Sequence, residues 1–191
     1  RLSLVGSEMC IRDRIDYEEV KKEFLTVEEV KKLAATECRW PGLKRASLFS
    51  ILTGLRISDI LNLKWEDIRQ DADGGISMFI RIQKTKKESC HPLNPEMLAL
   101  CGEPDTGKVF KDFQRHMSQR PLKEWLKAAG ITKRITFHRF RDTFATLQLA
   151  AGTDIFTVSK LLDHAHVTTT QIYAKLLPSA KRITTDRISL K

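Results

Sequence analysis

Apolar residues recur every three or four positions along most of the chain, which is the spacing of one face of an α-helix. The segment "FLTVEEVKKLAA" carries Val27, Val30 and Leu33 at this spacing. Thr26 precedes them and is followed three residues later by Glu29, the arrangement of a capping box. We therefore predict a first helix that begins at Thr26.

Two further helices are predicted before the pattern changes. Pro41 and Gly42 end the first helical segment, because both residues disfavour a helix interior. In "LKRASLFSILTG" apolar residues again recur at helical spacing as far as Gly54, which suits a C-terminal cap. The segment "SDILNL" then predicts a short helix that begins at Ser58.

The period becomes that of a β-strand after Trp65. The cluster "DADGG" is typical of a turn, and "ISMFIRIQ" is rich in β-branched and aromatic residues. We predict an antiparallel hairpin or small sheet here. The segment "KTKKES" predicts a second turn, which places Lys84 at the end of a strand. Asn94 and Pro95 then suit the N-cap and first position of a short helix up to Cys101.

The rest of the sequence favours helices. "SQRPLKEWLKAAG" predicts a helix capped by Ser118 and ended by Gly130. "HRFRDTFATLQLAAG" predicts a longer helix with an apolar stripe that includes Phe140 and Phe144. "DIFTVSKLL" and "TTQIYAKLL" predict two short helices. The fold class expected from these patterns is mainly α with a small antiparallel β-sheet (α+β), without internal repeats or an interdomain linker.

The first residues follow neither period. "SLVGSEMCIRDR" resembles translated sequencing-adapter DNA, because the codons of a transposon end used in sequencing libraries would encode Met9 to Asp13. We interpret residues 1–14 as an adapter-derived artefact and residues 15–191 as one domain; a natural extension is the alternative. Without residues 1–14 the formal charge falls only from +9 to +8, so the basic character of the chain stays.

Composition narrows the class of protein. A length of 191 residues with 41% hydrophobic content suffices for one globular core. The chain has 33 Lys and Arg against 24 Asp and Glu, which favours a polyanionic partner such as nucleic acid. No apolar run suits a membrane span or a secretory signal, so we expect a cytoplasmic protein without a membrane partner. The four cysteines form no C-x-x-C pair and predict reduced thiols: Cys10, Cys38, Cys90 and Cys101.

Two pairs of polar residues have spacings that suit phosphate chemistry. His138 and Arg141 lie three apart on one helical face and can point into a shared cleft; the alternative is a solvated polar face. Arg56 comes soon after Gly54, and Asp59 can hold its guanidinium from the side. Such an arginine presents two parallel donors to a phosphate, and the alternative is an ordinary ion pair at a helix boundary.

The stretch "LLDHAHVTTTQIYAK" places His164 and His166 two residues apart, upstream of Tyr173. A metal site is disfavoured, because the two histidines lack further ligands in any recognisable motif. We assign His166 to the solvent or to a cap for the helix that carries Tyr173.

Taken together, four segments resemble the catalytic domain of the tyrosine recombinases, the phage integrase family. "TGLRISDILNLKWEDI" is similar to the first arginine box, "FIRIQKTKK" to the hairpin with the catalytic lysine, "HRFRDTFAT" to the His-x-x-Arg box and "LLDHAHVTTTQIYAK" to the terminal box. The resemblance extends from about residue 24 to about residue 177. It implies a DNA breaking-rejoining fold and the catalytic set Arg56, Lys84, His138, Arg141, His164 and Tyr173, with Asp59 in a supporting position.

The resemblance also implies a mechanism. The Tyr173 phenolate attacks a DNA phosphodiester and forms a 3′-phosphotyrosyl link, without metal, ATP or another cofactor. Arg56 and Arg141 hold the nonbridging oxygens, and Lys84 protonates the leaving oxygen. His138 acts in proton transfer or positions the phosphate, and His164 donates a further hydrogen bond to it. We expect the two guanidiniums to lower the cost of ionising Tyr173, since a free phenol ionises near pH 10.

The function expected is that of a site-specific recombinase or integrase of a mobile element acting on double-stranded DNA. Alternatives are a Xer-like chromosome-dimer resolvase, a noncatalytic DNA-binding protein of the same fold and a relaxing topoisomerase. The full-length protein is expected to act as a homotetramer on DNA. The family's N-terminal core-binding domain is expected to be missing from this chain, which predicts weak DNA affinity. The tail after Tyr173 is expected to pack on a neighbouring subunit, with a frayed terminus as the alternative.

Two positions depart from the family pattern. Asp163 stands where the family usually has glycine, immediately before His164, and Asp142 follows Arg141 where histidine is common. Neither change removes a catalytic group. Asp163 places a carboxylate beside His164, and we expect this to raise the pKa of the imidazole.

Overall fold

The structure is a computed structural model that describes residues 23–81 and 88–174. Within these ranges it confirms the expected mixture of helices with a small antiparallel sheet. The helices and strands run in the order α1 (Val27–Ala35), α2 (Pro41–Thr53), α3 (Ile57–Asn62), β1 (Ile68–Gln70), β2 (Ile76–Arg81), β3 (Glu88–Pro92), α4 (Pro95–Cys101), α5 (Arg120–Ala128), α6 (Phe137–Ala150), α7 (Ile155–Leu161) and α8 (Thr168–Ala174). None of the described helices is long and apolar enough to cross a membrane.

Side chains cap the helices where the local sequence predicts it. The Thr26 hydroxyl accepts a hydrogen bond from the backbone N–H of Glu29, whose carboxylate accepts one from the N–H of Thr26. The side-chain oxygen of Asn94 accepts a hydrogen bond from the N–H of Met97 at the start of α4. These bonds satisfy donors that have no partner within their own helix.

Three predicted boundaries are wrong. Helix α3 begins at Ile57, one residue before the predicted Ser58. Pro41 does not precede the second helix but is its first residue, a position where the missing N–H costs nothing. Ser118 does not cap α5, because it belongs to a short 3₁₀ turn (Arg115–Ser118) and its hydroxyl donates to the carbonyl of Arg115. Gln119 takes the cap position instead.

Of the two alternatives predicted, a hairpin or a small sheet, the structure shows the small sheet, which has three strands. Strands β1, β2 and β3 pair antiparallel in that order, with Met78 opposite both Ile68 and His91. The third strand includes Glu88 and Ser89, which the sequence assigned to a turn. The alternating positions Ser89 and His91 are polar, so β3 lacks the apolar alternation that indicates a half-buried strand.

The apolar interior consists of two clusters of buried residues. The large one holds α2 at its centre and includes Phe49, Phe110 and Phe140. The small one contains Phe144, Ala145, Val158, Leu162 and Tyr173. Helix α6 contributes to both, because Phe140 and Phe144 lie one turn apart on the same face. The predicted catalytic tyrosine therefore packs in the smaller cluster, formed by α6, α7 and α8.

Candidate active site

Arg141 connects the two ends of the predicted site. Its side chain leaves α6 and is buried, with 3% of the residue exposed. The guanidinium donates to the carbonyl of Gly54 at 2.7 Å and to the carbonyl of Leu162. Gly54 has a left-handed φ of 72°, and a Cβ there would lie 2.6 Å from the ring of Phe144. Glycine at the end of α2 therefore lets this backbone pack closely against α6 beside Arg141.

Electrostatics place a second cation near Arg141. Burial lowers the pKa of Arg141 to about 10, and the charge of Arg56 acts in the same direction. The negative charges of Asp163 and Asp59 oppose this shift. Arg141 still carries its charge at neutral pH, so two guanidiniums lie close enough to repel each other. An anion bound between them would relieve that repulsion.

Arg56 presents a donor that the described residues leave without a hydrogen bond. It is the N-cap residue of α3, and its side chain is 19% exposed. Nη1 lies 3.9 Å from Oδ2 of Asp59, an ion pair longer than a hydrogen bond. Among the described residues Nη1 is buried without an acceptor. Buried donors are nearly always paired, which makes this nitrogen a candidate contact for a substrate oxygen.

His164 is oriented by α8. Its Nδ1 lies 2.8 Å from the hydroxyl of Thr170, which is fully buried in that helix. Its backbone N–H donates to the carbonyl of Ser159 at the end of α7. These contacts hold the half-buried imidazole beside the turn whose Leu162 carbonyl binds Arg141. His166, by contrast, is exposed, as predicted.

Tyr173 is docked in the protein interior. It is 3% exposed, and its hydroxyl donates to Oδ1 of Asp142 at 2.7 Å. The other oxygen of Asp142 accepts from Arg139 at 2.7 Å. The departure from the family pattern at position 142 thus gives the tyrosine a carboxylate partner.

The protonation of Tyr173 depends on its burial and on the charges around it. Burial raises the pKa of the phenol, and the hydrogen bond and negative charge of Asp142 raise it further. Arg141 and Arg139 act in the opposite direction but are outweighed. Arg141 thus makes ionisation easier, as expected, but in the docked conformation burial and Asp142 have the larger effect on the pKa. In this state the phenol keeps its proton.

The remaining predicted catalytic residues are His138 and Lys84. His138 lies in the first turn of α6 and is exposed, whereas Arg141 three residues later is buried. The structure therefore does not show the two side chains lining one cleft. Lys84 lies outside the described residues. Its role, like the roles of the other site residues, stays a prediction.

Asp163 has a partner that local sequence did not reveal. Its carboxylate accepts from the Ser89 hydroxyl at 2.6 Å and lies 3.2 Å from Nε2 of His91, both on β3. Burial raises the pKa of Asp163, but these two neighbours and the charge of Arg141 outweigh that effect, so the pKa lies below its ordinary value. Asp163 therefore pairs across the fold with β3, and its expected effect on the adjacent His164 stays a prediction. The only sequence signal was the polar alternation in "ESCHP".

Comparison with known proteins identifies the family. The sequence profile described as the phage integrase family matches residues 23–179. The chain belongs to the phage integrase family. The resemblance of the four segments is thereby confirmed at the level of the family, and the helical fold with its small sheet agrees with it.

Individual relatives support this assignment. The tyrosine recombinase XerA of Pyrococcus furiosus is 31% identical over 181 residues, which cover 87% of this chain and 62% of the relative. The crystal structure of a XerA recombinase matches with a TM-score of 0.69 and 28% identity, over 87% of this chain and 66% of that one. The chain therefore spans less than two thirds of the length of the Pyrococcus furiosus relative.

A more distant structure shares the fold alone. It is the Tn1549 transposon integrase, solved in complex with transposon right end DNA. Its TM-score is 0.67 at 16% identity, over 91% of this chain and 68% of that one.

Proposed function

We propose that the chain is the catalytic part of a site-specific DNA recombinase that cleaves and rejoins duplex DNA through a 3′-phosphotyrosyl intermediate. The observation that carries the proposal is the pair of neighbouring guanidiniums, Arg56 and Arg141, with Tyr173 in the same electrostatic neighbourhood. One buried nitrogen of Arg56 lacks an acceptor among the described residues. A phosphodiester offers two nonbridging oxygens whose negative charge would pair with these two guanidiniums.

The cleavage step exchanges one phosphate ester for another. The Tyr173 oxygen forms a bond to phosphorus, the bond from phosphorus to the 5′ oxygen breaks, and the phenolic proton is lost while the 5′ oxygen gains one. Attack by a 5′-hydroxyl of the partner strand then reverses the exchange and releases the tyrosine. The ester bond energy stays in the phosphotyrosyl link, so the reaction needs no ATP, and the two guanidiniums are assigned the charge stabilisation that a metal ion would otherwise supply.

Each predicted residue has a role that its chemistry suits. Arg56 and Arg141 stabilise the charge that develops on the phosphorane oxygens. His164, oriented by Thr170, donates a further hydrogen bond to the phosphate. Lys84 and His138 are assigned to proton transfer, with Lys84 serving the leaving oxygen.

The docked tyrosine adds a step before chemistry. A side chain that is 3% exposed cannot reach a phosphate in a DNA duplex. Tyr173 must leave Asp142 and move toward the arginines, which also removes the carboxylate that raises its pKa. The cleavage rate therefore depends on the population of the undocked conformation.

The substrate is double-stranded DNA, and integration or excision of a mobile element is the role we favour. The basic excess of the chain supports a DNA partner, and the fold is shared with an integrase solved on transposon DNA. Strand exchange between two duplexes requires four active sites, which supports a homotetramer for the full-length protein. The 31% identity to XerA favours chromosome-dimer resolution as the second candidate.

Covalent capture tests the proposal without knowledge of the target sequence. The chain is incubated with a pool of nicked duplexes that contain a randomised segment, so that cleavage loses a short strand and traps the adduct. Protein–DNA adducts that survive denaturant are then isolated and sequenced. We expect adducts from the wild type and none from Tyr173→Phe. No adduct from the wild type, or equal adduct from Tyr173→Phe, would contradict the proposal.

A relaxation assay separates the topoisomerase alternative. The same preparations are mixed with a supercoiled plasmid that lacks the captured sequence. A recombinase leaves this plasmid supercoiled, whereas relaxation that depends on Tyr173 favours the topoisomerase.

A further inference from the structure

Three polar side chains connect β3 with the turn between α7 and α8. Ser89 and His91 alternate along β3, so both face the same side of the sheet. The Ser89 hydroxyl lies 2.6 Å from Oδ1 of Asp163 and 2.8 Å from Nε2 of His91. Nε2 of His91 lies 3.2 Å from Oδ2 of Asp163. Each of the three side chains therefore touches the other two.

The protons in this cluster can be assigned from its geometry. An ionised carboxylate only accepts, so the single hydroxyl proton of Ser89 points to Asp163. The contact between His91 and Ser89 then requires a proton on Nε2 of His91, which the serine oxygen accepts. This arrangement differs from a hydrolytic triad, in which histidine accepts the serine proton and the carboxylate binds the other ring nitrogen. The cluster is a fixed set of donors and acceptors.

Asp163 lies between two residues of the candidate active site. The carbonyl of Leu162, immediately before it, accepts a hydrogen bond from Arg141. His164, immediately after it, contacts Thr170. A displacement of Asp163 would therefore move the carbonyl that orients Arg141 and the imidazole of His164 together.

The backbone at Asp163 has an unfavourable conformation in the state in which its side chain contacts Ser89 and His91. Its φ is 48°, the one positive value among described residues other than glycine. This left-handed conformation is unfavourable for a residue with a Cβ, and it persists where surrounding contacts impose it. Glycine would adopt it without strain, and apolar residues would pack on β3 without desolvating charge. The three polar residues are therefore not the most stable solution for this position.

We propose that Ser89, His91 and Asp163 form a clamp that sets the position of Arg141 and His164 relative to the sheet. The three are positioning residues, and their effect on cleavage rests on the proposed function. The clamp acts through the Leu162 carbonyl and through the backbone of His164. In this way the clamp places two hydrogen-bond donors, the side chains of Arg141 and His164, against the scissile phosphate.

Two substitutions at one position separate positioning from backbone strain. Asp163→Gly and Asp163→Ala both remove the carboxylate, but only glycine relieves the left-handed backbone. Single-turnover cleavage is measured at saturating concentrations of a nicked duplex obtained by covalent capture. We expect both variants to reduce the cleavage rate constant by about 10-fold to 100-fold, the range for a displacement of reacting groups by about 1 Å. The final amount of adduct per folded protein should stay unchanged.

The rate and the amount of adduct have different meanings. Loss of folded protein lowers the amount of adduct and leaves the rate constant of the remaining molecules unchanged. Misplaced donors lower the rate constant itself. A normal rate constant with a reduced amount, or a slow rate in Asp163→Ala alone, would overturn the clamp. Asp105→Asn changes the net charge by the same amount at an exposed site and is the matched control.

A double variant tests whether the residues act as one unit. His91→Leu leaves the Asp163 carboxylate without its imidazole partner and should slow cleavage by a similar factor. Adding Asp163→Gly to His91→Leu should slow the reaction no further than the slower single variant. Multiplied effects would show that the two residues act independently and would contradict the clamp.

A measurement without DNA keeps the inference separate from the proposed function. The imidazole ¹⁵N resonances of His164 report on its contact with Thr170. We expect the same shift of these resonances in Asp163→Gly and in His91→Leu, and none in Asp105→Asn. Unshifted resonances overturn the clamp even if the wild type cleaves DNA. A wild type that forms no adduct overturns the proposed function, whereas shifted resonances still support the clamp's geometry.

Discussion

The two buried clusters of this protein differ in size and in what they hold. The large cluster packs α2, the sheet and the first half of α6, and Arg56 stands at its edge at the start of α3. The small cluster consists of five buried residues and includes the predicted nucleophile. Regions with few buried apolar contacts open at lower free energy than the main core. Arg56, a proposed phosphate donor, therefore lies beside the region expected to be more rigid, and the predicted nucleophile lies in the region expected to open more easily.

Arg141 belongs to both regions. Its guanidinium is oriented by hydrogen bonds that it donates to the carbonyl of Gly54, at the end of α2, and to the carbonyl of Leu162, in the small cluster. Any opening that displaces Leu162 removes one of the two carbonyls that hold the guanidinium. Arg141 is therefore the proposed phosphate donor whose position depends on the packing of both clusters. Arg56 lies beside the large cluster only, and Tyr173 lies in the small cluster only.

The largest effect is expected from Arg141→Ala, because the change separates the two regions. Two buried carbonyls lose a charged donor, which we expect to lower the free energy of unfolding by about 2–4 kcal/mol. Loss of a phosphate donor should slow cleavage by about 100-fold to 1,000-fold. Urea unfolding and adduct formation measure the two effects. A variant with full stability would show that Arg141 does not connect the clusters.

Arg56→Ala should separate chemistry from stability. Its only ion pair with a described residue is the 3.9 Å contact with Asp59, so the free energy of unfolding should fall by less than about 1 kcal/mol. Cleavage should slow by about 100-fold or more, as for the removal of one donor to a developing oxyanion. The same two assays measure both quantities. If Arg56→Ala lowered the free energy of unfolding as much as Arg141→Ala, the proposed difference between the two arginines would be contradicted.

High pH should weaken the small cluster selectively. The folded protein raises the pKa of Tyr173, so the unfolded chain loses the phenolic proton first as the pH rises above about 10. Stability from this group is complete below pH 10 and is lost as the pH rises toward the folded pKa, at up to about 1.4 kcal/mol per pH unit. Urea unfolding from pH 8 to pH 11 measures it, with Tyr173→Phe as the control. Equal slopes for both proteins above pH 10 would contradict the docked conformation.

The smallest effect is expected from Asp142→Asn. An asparagine oxygen still accepts from Tyr173 but carries no charge, so the docked conformation loses about 1 kcal/mol. The population of undocked tyrosine, and with it the single-turnover cleavage rate, should rise about fivefold. Tyrosine fluorescence is unsuited to this chain because it contains three tryptophans, so quench-flow adduct formation is the measurement. A slower reaction would show instead that Asp142 assists the chemistry as a base.

Local sequence predicted those parts of the fold whose causes are local. The capping box at Thr26 and Glu29, the Asn94 cap and the glycine that ends α2 each depend on residues within one turn. Helical periodicity likewise located α6 and its apolar stripe. The errors at Pro41 and Ser118 concern single boundary residues, where several neighbours can serve as a cap and packing selects one of them.

The structure places Arg56 at the N-cap of α3, Arg141 in α6, His164 after α7 and Tyr173 in α8. Resemblance to the family selected these four residues, and their roles stay predictions. It could not show that Tyr173 is buried against Asp142, because an amino-acid pattern does not distinguish a docked from an undocked side chain. It also missed Ser89 and His91, since their partner Asp163 lies 74 residues from Ser89 along the chain.

The sequence by itself determined most helices with their caps, the basic charge and the residues that resemblance to a family predicts to act on a phosphodiester. These properties follow from the side chains present and from spacings of two to four residues. Tertiary structure alone decided which carbonyls hold Arg141, which strand binds Asp163 and where the Tyr173 hydroxyl points. The Arg141 contact with Gly54 spans 87 residues. Such contacts depend on how helices and strands pack, because only folding brings distant donors and acceptors within 3 Å of each other in a dry interior.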